Sequence, residues 1–126
     1  VMMVKGVGTD LVEVARIERS LSQHGDRFAE RILSHKEYLG YKESKRPADY
    51  VAKRFAVKEA VSKALGTGLS AGVTWKDIEL EHLESGQPFA VLHGKAKEKL
   101  DEFGAEGVYV SLSDEAGLVS AFAVLG

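Results

Sequence analysis

The sequence predicts a single α+β domain, a mainly antiparallel sheet packed with a long central helix. Its 126 residues suit one domain around one core. The strongest helical segment runs from Ala48 to Leu65, with Pro47 in its first turn and Gly66 as its stop. Around it, short strand-like and helical segments are mixed without the regular strand–helix repeat of a parallel sheet.

Taken in order, residues 4–9 (VKGVGT) read as a short strand whose glycines at 6 and 8 allow another group close to the backbone. Leu11, Val14, Ala15 and Ile17 make a helical stripe, so a helix is expected from Leu11 to about Leu21, broken by Gly25. Phe28, Ile32 and Leu33 suggest a further turn or two of helix, and His35 to Tyr41 another short one. The long helix follows, then a glycine-rich loop at Gly66–Val73. Strands are expected at Ile78–His82 and Phe89–Leu92 around a turn at Ser85–Gly86. A charged helix from Gly94 to Phe103 ends before Gly104, and strands at Val108–Ser113 and Leu118–Leu125 close the chain around Glu115–Gly117. Residues 1–126 show no internal repeat, linker or low-complexity segment.

Composition excludes several classes. Apolar residues are 44 % and charged residues 29 %, which predicts a globule rather than a disordered chain. No apolar run approaches the ~20 residues that span a bilayer, so no membrane partner is expected. No signal-peptide pattern opens the chain, and a cytoplasmic location is expected. Val1 stands ahead of a Met pair and reads as an added residue. With no cysteine, disulfides, thiolate metal sites and a cysteine nucleophile are ruled out. The net charge of −2 conceals an asymmetry: residues 1–54 carry 11 Lys/Arg against 8 Asp/Glu, and residues 55–126 carry 6 against 11. All six arginines lie between Arg16 and Arg54. A nucleic-acid binder would be more strongly basic, so the basic half points to an anionic small molecule or an acidic protein.

Two places could carry chemistry. Asp10 follows a strand and precedes the expected helix, with Glu13 three residues on. Such an aspartate is either an N-cap, in a variant capping box, or a rigidly held carboxylate for a hard cation. On the long helix, Ala52, Ala56, Glu59 and Lys63 share an arc of about 60°, while Val51, Phe55, Val57, Val61 and Leu65 occupy the other faces. Glu59 and Lys63 at i,i+4 are either an ordinary surface pair or a charged strip kept for function on a mostly apolar helix. His24, His35, His82 and His93 have no metal-ligand spacing and read as structural or surface residues. GVG at 6–8 lacks the third glycine of a dinucleotide fingerprint, and no serine sits in a nucleophile elbow.

Three segments, GVGTDLVEVARI, RFAERILSHKE and RFAVKEAVSKALGTG, carry a resemblance. The pairing of Gly8-Thr9-Asp10 with Phe55-x-x-Lys58-Glu59-x-x-x-Lys63 resembles the bacterial holo-acyl-carrier-protein synthases, the small 4'-phosphopantetheinyl transferases. It extends from Val4 to about Val124. The resemblance implies the 4'-phosphopantetheinyl transferase fold and transfer of the phosphopantetheine arm of coenzyme A to a serine of an acidic acyl carrier protein, for fatty acid biosynthesis. It implies Mg²⁺ held by Asp10 and Glu59, with Lys63 neutralising phosphate charge and Lys58 in a phosphate or structural role. Lys45 and Arg46 match the region that meets the 3'-phosphate of the nucleotide, Arg54 lies nearby on the helix, and Gly66 with Thr67 and Gly68 could lend backbone N–H groups to a phosphate. Arg16, Arg27, Phe28 and Arg31 match the carrier-docking face. A homotrimer with each site between two subunits is implied too, its apolar strand face drawn from Val108–Ser113 and Leu118–Val124.

Each of these positions has a plainer reading. Lys45, Arg46 and Arg54 are otherwise solvated cations, and Gly66 a helix C-cap. Phe28 is otherwise core, with the arginines paired to Glu18, Asp26 and Glu30. Many relatives carry histidine where this chain has Asp114, which would repel phosphate unless a metal or lysine lies close. Two other functions stay open at this point. A non-catalytic coenzyme A or carrier-protein binding module needs the basic face but not Asp10, Glu59 and Lys63 together. A plain interaction domain predicts that Glu59→Gln changes almost nothing.

Overall fold

The long helix forms as α4, Pro47–Ala64, and the rest of the fold is arranged around it. The structure, a computed structural model, describes residues 3–126; Val1 lies outside the described residues. Three strands, β1 (Gly6–Glu13), β4 (Val108–Glu115) and β5 (Leu118–Leu125), make an antiparallel sheet in the order β1-β5-β4. A separate antiparallel hairpin is formed by β2 (Ile78–His82) and β3 (Pro88–Leu92). The remaining helices are α1 (Val14–His24), α2 (Asp26–Ile32), α3 (His35–Glu43) and α5 (Gly94–Glu102), and a 3₁₀ turn covers Trp75–Asp77. The expected α+β class and antiparallel pairing are what the chain adopts.

Helix α4 is central because it can be buried on most sides. Ten of its eighteen residues are buried, so only a thin polar strip is left. Pro47 suits its first turn, where a missing N–H costs nothing. At its far end Gly66, at φ +78°, turns the chain away. The sheet meets this helix with small side chains, Ala121 and Ala123 of β5, both buried.

The start of the chain departs from expectation. The strand does not end at residue 9, and the helix does not begin at Leu11. Instead β1 runs on to Glu13, paired with β5 from Gly6↔Leu125 to Glu13↔Leu118. Leu11 therefore faces outward and Val12 inward, an alternation that the helical stripe through Leu11 had masked. Asp10 is consequently not the N-cap of α1. That position belongs to Glu13, which makes no side-chain cap, and the Val14 N–H bonds the Gly117 carbonyl at 2.9 Å. Long-range pairing supplied what a local cap would have supplied.

Gly6 and Gly8 have the close approach expected of them. A Cβ on Gly8 would fall on the Ala60 carbonyl oxygen, and one on Gly6 on the Ala64 carbonyl oxygen. The strand thus lies backbone-to-backbone against α4, closer than any side chain permits. Residues 6, 8, 10 and 12 share one face of β1, so the glycine contact carries Asp10 toward the same helix.

Candidate active site

From β1, Asp10 meets the polar strip of α4. Lys63 Nζ lies 3.1 Å from Asp10 Oδ1 and donates to the Thr9 carbonyl at 3.0 Å. The i,i+4 bridge between Glu59 and Lys63 does not form. Lys63 reaches across to the strand, and Glu59 Oε1 accepts a hydrogen bond from the Trp75 indole N–H at 3.3 Å. Asp10 is thus bound to Lys63, which lies one helical turn beyond Glu59, and the three side chains are held by a strand, a helix and a 3₁₀ turn.

The donor set suits a hard cation. Asp10 and Glu59 each have one oxygen engaged, and the second oxygen of each has no hydrogen bond among the described residues. Magnesium takes one or two carboxylates and completes its shell with phosphate oxygens and water. The described residues hold no cluster of three acidic, histidine or cysteine side chains.

Lys58 behaves quite differently from its neighbour. Its side chain is fully buried, with Nζ 2.7 Å from Glu37 Oε1, and it also donates to the carbonyls of Trp75 and Ile78. Burial pushes its ammonium below the ordinary value, and Glu37 opposes that shift. Of the two roles weighed for Lys58, the structural one fits; a phosphate could not reach it. Glu37, which no local pattern singles out, also accepts from the Ser34 and Leu80 N–H groups.

A groove of about 300 Å³ leads away from Glu59. Arg16, Phe28, Arg31, Phe55 and Trp75 line it, so three of the expected docking residues share a cavity with the carboxylate. A second hollow beside it is lined by Arg27, Phe28 and Arg31. Phe28 is half-buried and packs on the core while its ring faces both cavities, so it is core and groove wall at once. The expected pairing of arginines with Glu18, Asp26 and Glu30 is absent: Asp26 binds Lys42 at 2.7 Å and Tyr41 at 3.0 Å. Arg16 lies over the Phe55 ring, 5.7 Å from its centre. Among the described residues only Arg46 of the arginines forms a salt bridge, to Asp49.

The expected nucleotide cations are not assembled with this group in one chain. Lys45 and Arg46 are exposed at the N-terminal end of α4. Thirteen residues of helix separate Arg46 from Glu59, about 20 Å along the axis. Arg54 stacks on Tyr50, 3.5 Å from the ring centre, in a separate hollow with Glu37, Glu79, Glu81 and His82. The Gly66 N–H bonds the Lys63 carbonyl at 3.0 Å, and the Gly68 N–H bonds the Ser62 carbonyl at 3.0 Å. Both donors close the end of α4 instead of standing free for a phosphate. Asp114 has a lysine near it, Lys53 Nζ at 3.8 Å.

Residues 6–119 match the 4'-phosphopantetheinyl transferase superfamily. The chain is 49 % identical to a holo-[acyl-carrier-protein] synthase of Halorhodospira halophila, covering 98 % of each. It superposes on the crystal structure of the Neisseria meningitidis holo-[acyl-carrier-protein] synthase with a TM-score of 0.92 and 40 % identity, covering 98 % of this chain and 99 % of that one. The Helicobacter pylori enzyme, crystallised in complex with coenzyme A, aligns with a TM-score of 0.82 and 33 % identity over 95 % of this chain and 99 % of that one.

Proposed function

Because this chain belongs to the 4'-phosphopantetheinyl transferase superfamily, among its holo-[acyl-carrier-protein] synthases, we propose that the Asp10–Glu59–Lys63 cluster is its transfer site. The chain is an enzyme that moves 4'-phosphopantetheine from coenzyme A to an acyl carrier protein. In that reaction a carrier serine oxygen attacks the β-phosphorus of coenzyme A. The bond to the α-phosphate oxygen breaks, and adenosine 3',5'-bisphosphate leaves. The observation that carries the assignment is the Asp10–Lys63 contact one helical turn from Glu59, whose carboxylate lines an arginine-lined groove.

Each residue has a physical task. Asp10 and Glu59 present oxygens from rigid elements and are the ligands for Mg²⁺, which when bound supplies charge neutralisation to the pyrophosphate. Lys63 holds Asp10 in place with one N–H and the Thr9 carbonyl with another, leaving its third for a phosphate oxygen. The same ammonium offsets charge that develops on the departing bisphosphate and can protonate it. Arg16, Arg27 and Arg31 attract an acidic carrier, and Phe28 offers it an apolar contact.

A site shared between subunits of a homotrimer resolves the placement of the remaining cations. The 3'-phosphate and the pyrophosphate hang from the same ribose, yet Lys45 and Arg46 lie about 20 Å from Glu59 in one chain. A neighbouring subunit can bring its own Lys45, Arg46 and Arg54 to the nucleotide. The outer face of the three-stranded sheet supports such an assembly, since Val7, Leu11, Tyr109, Leu118 and Phe122 are all exposed there. Gly66 contributes by turning the chain at the end of α4 beside Lys63, not by donating to phosphate. We read residues 1–126 as one transferase domain acting in the cytoplasm for fatty acid biosynthesis; among the described residues no helix is long and apolar enough to cross a membrane.

Mass spectrometry of apo-carrier protein incubated with the enzyme, coenzyme A and Mg²⁺ tests this. The carrier gains one phosphopantetheine unit, and Asp10→Asn or Glu59→Gln slows the gain by about a hundredfold or more. Arg16→Glu raises KM for the carrier and leaves KM for coenzyme A unchanged. No mass gain across several carriers would sink the transferase reading and leave only a binding module.

A further inference from the structure

We infer that Trp75 is a positioning residue for Glu59, fixing which way its carboxylate points. The inference rests on the reading that Glu59 serves the transfer. Trp75 is the only tryptophan in the chain, set between Thr74 and Lys76 in a three-residue turn where no buried periodicity calls for a large ring.

Two adjacent residues of α4 grip it in different ways. Buried Lys58 donates to the Trp75 backbone carbonyl at 2.8 Å, and Glu59 receives the indole N–H at 3.3 Å. Successive side chains leave a helix about 100° apart. Trp75 spans that gap, its main chain on one residue and its ring on the next. The ring is also braced by Phe55, with centroids 6.1 Å apart and planes tilted by 36°. Behind it, the Thr74 N–H bonds Asp77 Oδ2 at 3.2 Å, and the Asp77 carbonyl accepts the His93 N–H at 2.8 Å. The indole is thus fastened to α4, and the 3₁₀ turn that carries it is tied to the residue that follows β3.

The consequence concerns a choice open to Glu59. An unrestrained glutamate four residues before a lysine leans toward it, because that pair is the favoured one on a helix. Such a contact would draw Lys63 from Asp10 and occupy a carboxylate oxygen. By holding Oε1, Trp75 keeps the two carboxylates apart in function: Asp10 binds the lysine, and Glu59 keeps Oε2 open. The rotamer freedom of a long acidic side chain is removed before substrate arrives, which is how a supporting group raises the rate without touching the substrate.

Trp75→Phe keeps a ring against Phe55 and removes only the N–H. It lowers kcat by about tenfold and leaves KM for coenzyme A and carrier within about twofold, the split expected when orientation and not binding is lost. A merely structural role would instead lower stability in urea and leave kcat per folded molecule unchanged. The second readout needs no turnover. In the wild-type enzyme, emission from this single tryptophan shifts saturably when Mg²⁺ is titrated with adenosine 3',5'-bisphosphate, and Glu59→Gln abolishes the shift. Full kcat in Trp75→Phe overturns the inference. So does emission indifferent to Mg²⁺ in a preparation that converts carrier by mass spectrometry. In both cases the transferase reading stands, because the wild-type mass gain measures it separately.

Discussion

Lys58 and Glu59 are consecutive residues of one motif, yet one is sealed in the core and the other stands at the groove. About 100° of helix rotation separates them, enough to move a side chain from the packed side of α4 to its polar strip. Lys58 is tolerable in the interior because all three of its N–H groups have partners and Glu37 balances its charge. Removing it leaves that carboxylate buried and uncompensated. Lys58→Met should therefore destabilise the protein by about 3–5 kcal/mol, read as a lower urea midpoint with an unchanged slope. An unaltered midpoint would mean that Lys58 contributes nothing to the fold. At this scale the residue types on the polar arc of α4 were legible from helical periodicity. Their partners were not: Asp10 lies 53 residues before Lys63 and Trp75 lies 16 residues after Glu59, and no local pattern joins them.

Among the elements, α4 was read almost residue for residue because it needs nothing beyond its own periodicity and ends. The β1–α1 junction was misread for the opposite reason. Leu11, Val14, Ala15 and Ile17 satisfy a helical stripe, and only the pairing of β1 with β5 selects the strand as far as Glu13. The glycines at 6 and 8 did announce a close approach, but not what approaches. Because that neighbour is the backbone of α4, a side chain at Gly8 has nowhere to go. Gly8→Ala should push the strand off the helix and destabilise the fold by about 3 kcal/mol. Transfer activity of the folded fraction should drop further than stability alone accounts for, since Asp10 sits on the displaced strand. Normal activity and a normal melting temperature together would show that the strand can shift freely, against the packing described here.

For the molecule as a whole, the outer sheet face and the scattered cations lead to one expectation. Phe122→Lys places a charge at β5, the middle strand of that face. It should convert a trimer into monomers in analytical ultracentrifugation and abolish transfer while each monomer stays folded. A fully active monomer would end the shared-site proposal. The basic character of residues 1–54 was visible in composition, and the arginines Arg16 and Arg31 do line the groove that reaches Glu59. The residues alone settled the class of fold, the long helix and the chemical types available to the site, because periodicity, helix ends and motif spacing are local properties. Asp10 as a strand carboxylate, Lys63 bound to it, Lys58 in the core and the indole on Glu59 had to come from the tertiary structure. Each depends on which distant segment packs against α4, and that contact lies beyond any spacing along the chain.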